Sequence, residues 1–304
     1  MEHIKVDELP RLRQAIMLAA FGGWGDAGEI ATTALRLVVK QYRAKKFASF
    51  DPEEFYDFTK TRPTTKILRS GERRLEWPAN DFYCWRDEHG ERDYLVLVGA
   101  DPHLRWKLFT SEIIELAQAT GVELVLTLGG FLGEVAHSRI APFTGRSSRP
   151  DLHARLAELG VGESTYQGPT GIHSVLHDAL ERAGLGSASL WGAVPHYIPM
   201  VANPKVCAAL ARKLCDLLAL DLDLREMDLS ARQFERQVNE AIKGNPEIAE
   251  YVRQLEASQP EADDIASEPA EDPPELPSGE AVVRDLEDFL RQRQQGGPGS
   301  GQPE

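Results

Sequence analysis

The chain has 304 residues, 42% of them hydrophobic, enough for one large domain or two modest ones with a sizeable core. Its formal net charge is −14, and eight acids without a Lys or Arg lie between residues 259 and 280, which leaves the remainder mildly acidic at −6. Nothing in this composition suggests a nucleic-acid binder, which would need a clustered basic face, and no apolar run approaches the roughly 18 residues of a membrane span.

Cys84, Cys207 and Cys215 are odd in number and form no C-x-x-C pair, so a reducing compartment is expected. Met1-Glu2-His3-Ile4-Lys5 lacks the apolar h-region of a signal peptide. A cytoplasmic location follows as an expectation.

In chain order, Ala15 to Phe21 is an apolar run of strand length, as for a strand buried on both faces. The turn Phe21-Gly22-Gly23-Trp24-Gly25-Asp26-Ala27-Gly28-Glu29 follows, and then Ile30, Ala34, Leu37 and Val38 recur at helical spacing. Gly23, Gly25 and Gly28 spell the G-x-G-x-x-G fingerprint of NAD, NADP or FAD sites, and Asp51, behind a strand at Phe47 to Phe50, stands where a ribose-binding acid belongs. Against a cofactor stands Asp26. Placed as an N-cap, with Glu29 completing a capping box, its carboxylate takes the helix donors and repels a pyrophosphate. The preferred reading is a capped strand-to-helix turn without cofactor.

Residues 51 to 93 break the rhythm with short polar and aromatic runs, read as antiparallel strands or an extended excursion at the sheet edge. Tyr94 to Gly99 is a strand, Leu108, Ile113, Ile114, Leu116 and Ala117 trace a helix, and Glu123 to Leu128 is another strand. Gly145 to Arg149 reads as a mobile basic loop and Asp151 to Leu159 as a short helix capped by Asp151. Pro169-Thr170-Gly171 opens a helix carrying Ile172, Val175, Leu176, Ala179 and Leu180 on one stripe. Ser189 to Val194 is a strand, and Asn203-Pro204 starts a helix to about Leu220. Alternation of this kind implies a three-layer α/β sandwich with a mainly parallel central sheet over residues 1–221.

Residues 222–257 form a charged helical extension, 258–280 a disordered acidic linker, 281–294 a short amphipathic helix with Val282, Val283, Leu286, Phe289 and Leu290 on one stripe, and 295–304 a disordered tail.

Ligands of open α/β sheets sit beyond the carboxyl ends of the strands. The loops placed there carry Gly23, Trp24 and Asp26; Glu134, His137, Ser138 and Arg139; and His196 with Tyr197. Together they offer an acid, two imidazoles and a guanidinium, enough for acid–base work or for an anionic ligand. The plainer alternative makes Pro195-His196-Tyr197 a rigid turn with His196 bonded to backbone. His173 and His177 lie four apart on one helix, a metal-ligand spacing, but Ser174 stands where a zincin has Glu, and a surface pair without metal is preferred. No nucleophile elbow, P-loop or Cys–His signature is present, so no residue is assigned a catalytic role.

Three motifs in this order and spacing carry a resemblance. They are Phe21-Gly22-Gly23-Trp24-Gly25-Asp26-Ala27-Gly28, then Gln167-Gly168-Pro169-Thr170-Gly171-Ile172, then Ser189-Leu190-Trp191 with Val194-Pro195-His196-Tyr197 and Asn203-Pro204-Lys205. Over roughly residues 13 to 220 the chain resembles the proteasome assembly chaperone 2 family, most of all its actinobacterial branch. The resemblance implies a phosphorylase/hydrolase-like α/β fold related to nucleoside phosphorylases but without their site. It also implies self-association as a dimer or trimer, and a link to proteasome subunits and their assembly. Archaeal relatives that contact the proteasome end in a hydrophobic residue, a Tyr and one further residue. Ser300-Gly301-Gln302-Pro303-Glu304 has no such pattern, so the resemblance does not extend to that docking tail. A non-catalytic assembly chaperone or scaffold leads. A hydrolase or phosphorylase-like enzyme is the alternative, and a dinucleotide-binding protein the second alternative.

Overall fold

The computed structural model describes residues 1–88, 90–198 and 202–258. The acidic linker, the short amphipathic helix and the tail expected after Ser258 lie outside the described residues.

The elements in chain order are β1 (Ile4–Val6), β2 (Ala15–Gly22), α1 (Ile30–Gln41), β3 (Lys45–Phe50), β4 (Thr64–Ile67), β5 (Arg73–Glu76), β6 (Asn80–Arg86), β7 (Asp93–Ala100), α2 (Trp106–Thr120), β8 (Val122–Gly133), β9 (Phe143–Ser147), α3 (Pro150–Glu158), β10 (Val161–Gly162), α4 (Ile172–Arg182), β11 (Gly186–Pro195), α5 (Pro204–Leu218), α6 (Arg225–Lys243) and α7 (Pro246–Ser258). Nine strands form one sheet in the order β1-β3-β6-β7-β2-β8-β11-β9-β10, and β4 pairs with β5 in a separate ribbon.

The chain is thus a three-layer α/β protein. Its central strands β7, β2, β8 and β11 are parallel, as alternation of strand and helix predicts. The margins β3–β6–β7 and β11–β9 are antiparallel, added by segments outside that alternation.

A strand buried on both faces must send successive side chains into two different cores. On β2, Ile16, Leu18 and Ala20 enter the core under α1 and α5, while Ala15, Met17, Ala19 and Phe21 enter the core under α2 and α4. The second core is rich in aromatic rings, with Phe50 stacked on Phe109 at 4.2 Å between centroids and Phe55 edge-on to the same ring at 5.2 Å. Helix α5 begins where expected: Asn203 accepts from the Val206 N–H at 3.0 Å and Pro204 opens the helix.

Two readings are corrected here. The basic segment at Gly145 to Arg149 is no free loop, because Phe143–Ser147 pairs antiparallel with β11. Five residues are too few to show a period, and Gly145 is needed because a Cβ there would stand 2.4 Å from the Ser189 carbonyl. Nor does Asp151 cap α3. The N-cap is Arg149, Pro150 opens the helix, and Asp151 sits in the first turn paired with Arg149 at 2.8 Å.

The excursion between β3 and β6 is largely the β4–β5 ribbon. All eight of its strand residues are exposed, and its base is held by Trp77 edge-on to Phe58 at 4.9 Å.

Candidate functional site

The glycine turn leaves the carboxyl end of β2 and reaches α1 through a short 3-10 turn at Ala27–Glu29. Asp26 is 5% exposed and is bridged to Gly130 of β8. Its carboxylate accepts from the Ala31 N–H at 2.7 Å, the Thr32 N–H at 3.4 Å and the Thr32 hydroxyl. Asp26 therefore fills the start of α1, but from three residues before the N-cap. That position belongs to Glu29 in the left-handed region at φ 52°, without a side-chain capping bond, so the capping box is replaced by a folded-back turn. Burial pushes the Asp26 carboxyl upward, opposed by the bonds from Thr32 and Ala31. The donors that a pyrophosphate would use are already taken.

Each fingerprint glycine has a protein neighbour that explains it. Gly28 has φ +64° and faces Asn203, whereas Gly23 has φ +139° and lies against Asp101. Gly25 needs no special backbone; a Cβ there would come within 2.8 Å of the His173 ring and 3.3 Å of Trp191. Trp24, 65% exposed, lies beside Gly171. The three sequence motifs thus meet at one junction: Gly25 from the first, Gly171 and His173 around the second, Trp191 from the third.

His173 and His177 are not the surface pair expected from the helical pattern. His173 is 3% exposed, packed edge-on against Phe21 at 5.3 Å and Trp191 at 4.8 Å. His177 Nε2 meets Thr127 Oγ1 at 2.8 Å. The stripe of α4 is wider than its aliphatic residues indicate, because the helix packs onto both α2 and β11. Burial pushes His173 down to about 3, with His177 adding to the effect, and pushes His177 down to about 4, with Arg146 adding. Among the described residues, no group of three or more His, Cys, Asp or Glu is placed to hold a metal ion.

His137, Ser138, Arg139, His196 and Tyr197 do converge, but under α6 and α7. The Tyr197 phenol accepts from the His137 N–H and donates to His137 Nδ1, both at 2.7 Å, which leaves Nε2–H to donate to Asn239 Oδ1 of α6 at 3.2 Å. His196 Nδ1–H donates to the Gly133 carbonyl at 3.1 Å, and its Nε2 accepts from the Tyr251 hydroxyl of α7 at 3.0 Å. Ser138 bonds the Glu256 carboxylate, and Arg139 donates to the Glu256 carbonyl at 3.2 Å. Lys205 joins the His137 carbonyl at 2.7 Å to Glu235 at 3.1 Å. Around these bonds Tyr197, Ile198, Phe234, Val238, Ile248 and Val252 form a third small core. Burial keeps His137 below its ordinary range and raises the Tyr197 phenol. Glu134 is exposed beside the seam, and Asp26 remains within its own turn.

One residue of this edge was not singled out from the sequence. Asp101 follows β7 where the connection from β2 passes to the α1 face and that from β7 to the α2 face, the switch point at which open sheets bind ligands. Its Oδ1 is buried without a hydrogen-bond partner, as is Oδ1 of the nearby Asn80. Burial alone raises its carboxyl to about 6. The signal was available, since Asp101 stands two residues beyond the predicted strand at Tyr94 to Gly99.

A raised acid favours the protonated native state, so stability is greatest below the unfolded value near 4 and declines as pH rises through about 6. Asp101→Asn should therefore stabilise the chain at pH 7.5 by about 1–2 kcal/mol after allowance for solvent screening, and have no effect near pH 3.5. Urea melts at the two pH values check this; equal shifts at both would count against it.

A protein-family model described as the PAC2 family matches residues 20–242. The match takes in all three motifs and all but the last residue of α6. A PAC2 family protein from Streptomyces avermitilis is 38% identical, with a TM-score of 0.70 over 78% of this chain and 99% of that one. A proteasome-assembly chaperone homologue from Mycobacterium tuberculosis is 33% identical, with a TM-score of 0.69 over 78% and 99%. An archaeal proteasome activator from Pyrococcus furiosus shares the fold at 19% identity, with a TM-score of 0.64 over 79% and 99%.

Proposed function

The chain belongs to the PAC2 family, and from that premise we propose that it acts without catalysis, as an assembly chaperone or scaffold in the cytoplasm. It self-associates, and its partners include proteasome subunits. The observation that carries the reading is the seam under α6 and α7. Both candidate imidazoles at the carboxyl ends of β8 and β11 are committed to Tyr197, Asn239, Gly133 and Tyr251. A general base must reach its substrate proton within hydrogen-bond distance, and these ring nitrogens already have partners. Further support comes from the 33% identical mycobacterial relative, a proteasome-assembly chaperone homologue. No helix among the described residues is long and apolar enough to cross a membrane.

One observation favours an enzyme as second reading: Asp101 at the switch point, with a carboxyl near 6 and an unpartnered oxygen.

Affinity capture from a native lysate of the source organism, with proteasome subunits sought among the partners, tests the first reading. In parallel the chain is screened against nucleosides, esters and phosphoesters. Recovery of subunits with no turnover is the expected result. Turnover abolished by Asp101→Asn in a chain that stays folded would overturn it.

A further inference from the structure

The ribbon β4–β5 alternates in chemistry but not in burial. Its register pairs Thr64 with Glu76 and Lys66 with Arg74 on one face, and Thr65 with Leu75 and Ile67 with Arg73 on the other. Trp77 continues the second face. Such alternation belongs to a strand pair that buries one side. Here Ile67 is 69%, Leu75 56% and Trp77 46% exposed. An isolated two-stranded ribbon is marginal in water, so this one has an apolar face that calls for a cover.

Charge indicates what the cover is. Residues 60 to 77 hold six basic side chains (Lys60, Arg62, Lys66, Arg69, Arg73, Arg74) and two acids (Glu72, Glu76), a net +4. The chain as a whole carries −14, of which the segment after Ser258 holds −9, so the rest of residues 1–258 outside this arm also carries −9. A basic arm on an acidic body meets its electrostatic complement in another copy of the same chain. Long-range attraction brings the arm to the neighbouring body, and the apolar face of Ile67, Leu75 and Trp77 supplies the contact.

We propose that the β4–β5 ribbon is an exchange arm whose apolar face packs on the body of a second copy of this chain. This rests on the proposal that the chain self-associates, and names the segment responsible.

Size-exclusion chromatography with light scattering on the full chain provides the test. The wild type is expected to be an oligomer that weakens as salt rises. Ile67→Asp with Leu75→Asp should give a monomer that keeps the wild-type circular dichroism spectrum and a cooperative melt, because both residues are exposed in the single chain. Only the part of the melting temperature that depends on protein concentration should be lost. Arg73→Glu with Arg74→Glu should weaken assembly at least tenfold. A photo-cross-linking residue at position 75, in a mixture of isotopically light and heavy chains, should link between chains to residues 1–258. A monomeric wild type would overturn self-association and the arm together. An oligomer that survives the double Asp variant would overturn the arm alone. Cross-links confined to residues after Ser258 of the same chain would show the acidic segment to be the cover and overturn the second copy.

Discussion

Lowering the pH from 7 to 5 should cost the folded chain about 4 kcal/mol through two imidazoles, His173 and His177. Burial holds them down to about 3 and about 4, against an unfolded value of 6.5. Rings depressed in this way are neutral when folded, so their full contribution is present above the unfolded value. It is lost as pH falls below 6.5, by about 1.4 kcal/mol per pH unit for each ring, until the folded values are reached. A protein has about 5–15 kcal/mol in all, so a chain at the lower end of that range should begin to unfold near pH 5. Asp101 works the other way over the same interval, by less than about 1 kcal/mol. His173→Phe with His177→Gln keeps the ring volume at one site and a partner for Thr127 at the other. This variant should flatten the profile, measured by urea melts at half-unit pH steps. Parallel profiles for variant and wild type would show that the rings do not govern the transition.

The second large effect is expected at Gly25. Gly25→Val places a branched side chain where a Cβ alone would lie 2.8 Å from His173 and 3.3 Å from Trp191. The His173 ring is buried between Phe21 and Trp191, so it has no room to withdraw. The cost should be about 3 kcal/mol, at the upper end of overpacking. Gly162→Val is the control, because the nearest atom to its Cβ is the Phe143 carbonyl at 3.9 Å and its backbone is unexceptional. That change should stay within about 0.5 kcal/mol. Adding His173→Ala to Gly25→Val should recover at least about 1 kcal/mol as coupling between the two sites. Equal melting temperatures for the two glycine variants would mean that the motif junction is loosely packed.

The pattern of residues carried the fold further than the site. Ala15 to Phe21, Tyr94 to Gly99 and Ser189 to Val194 announced themselves because a strand buried on both faces is a continuous apolar run, and Asn203-Pro204 announced α5 by its capping chemistry. β9 stayed hidden, since Phe143-Thr144-Gly145-Arg146-Ser147 has no period long enough to read. The start of α1 was legible in substance but not in register. Asp26 does occupy the helix donors, yet reaches them by way of two left-handed residues, Gly28 and Glu29, the first of which packs against Asn203 and accepts its N–H at 2.8 Å, far along the chain. The Nε2 partners of His137 and His196 are Asn239 and Tyr251, on helices whose docking place no local pattern encodes. His173 was misplaced for the same reason: whether a ring at the border of an apolar stripe is buried depends on which elements close over it.

The position of β2 in the sheet has a consequence for how the chain is made. Its neighbours are β7 and β8, and Ile16 pairs with Tyr94 on one side and Leu124 on the other. Both partners therefore emerge from the ribosome more than seventy residues later. At about 5–20 residues per second, the most apolar strand of the protein spends on the order of several seconds exposed before either flank exists. A chain proposed to aid the assembly of others begins life with its own central strand unpaired.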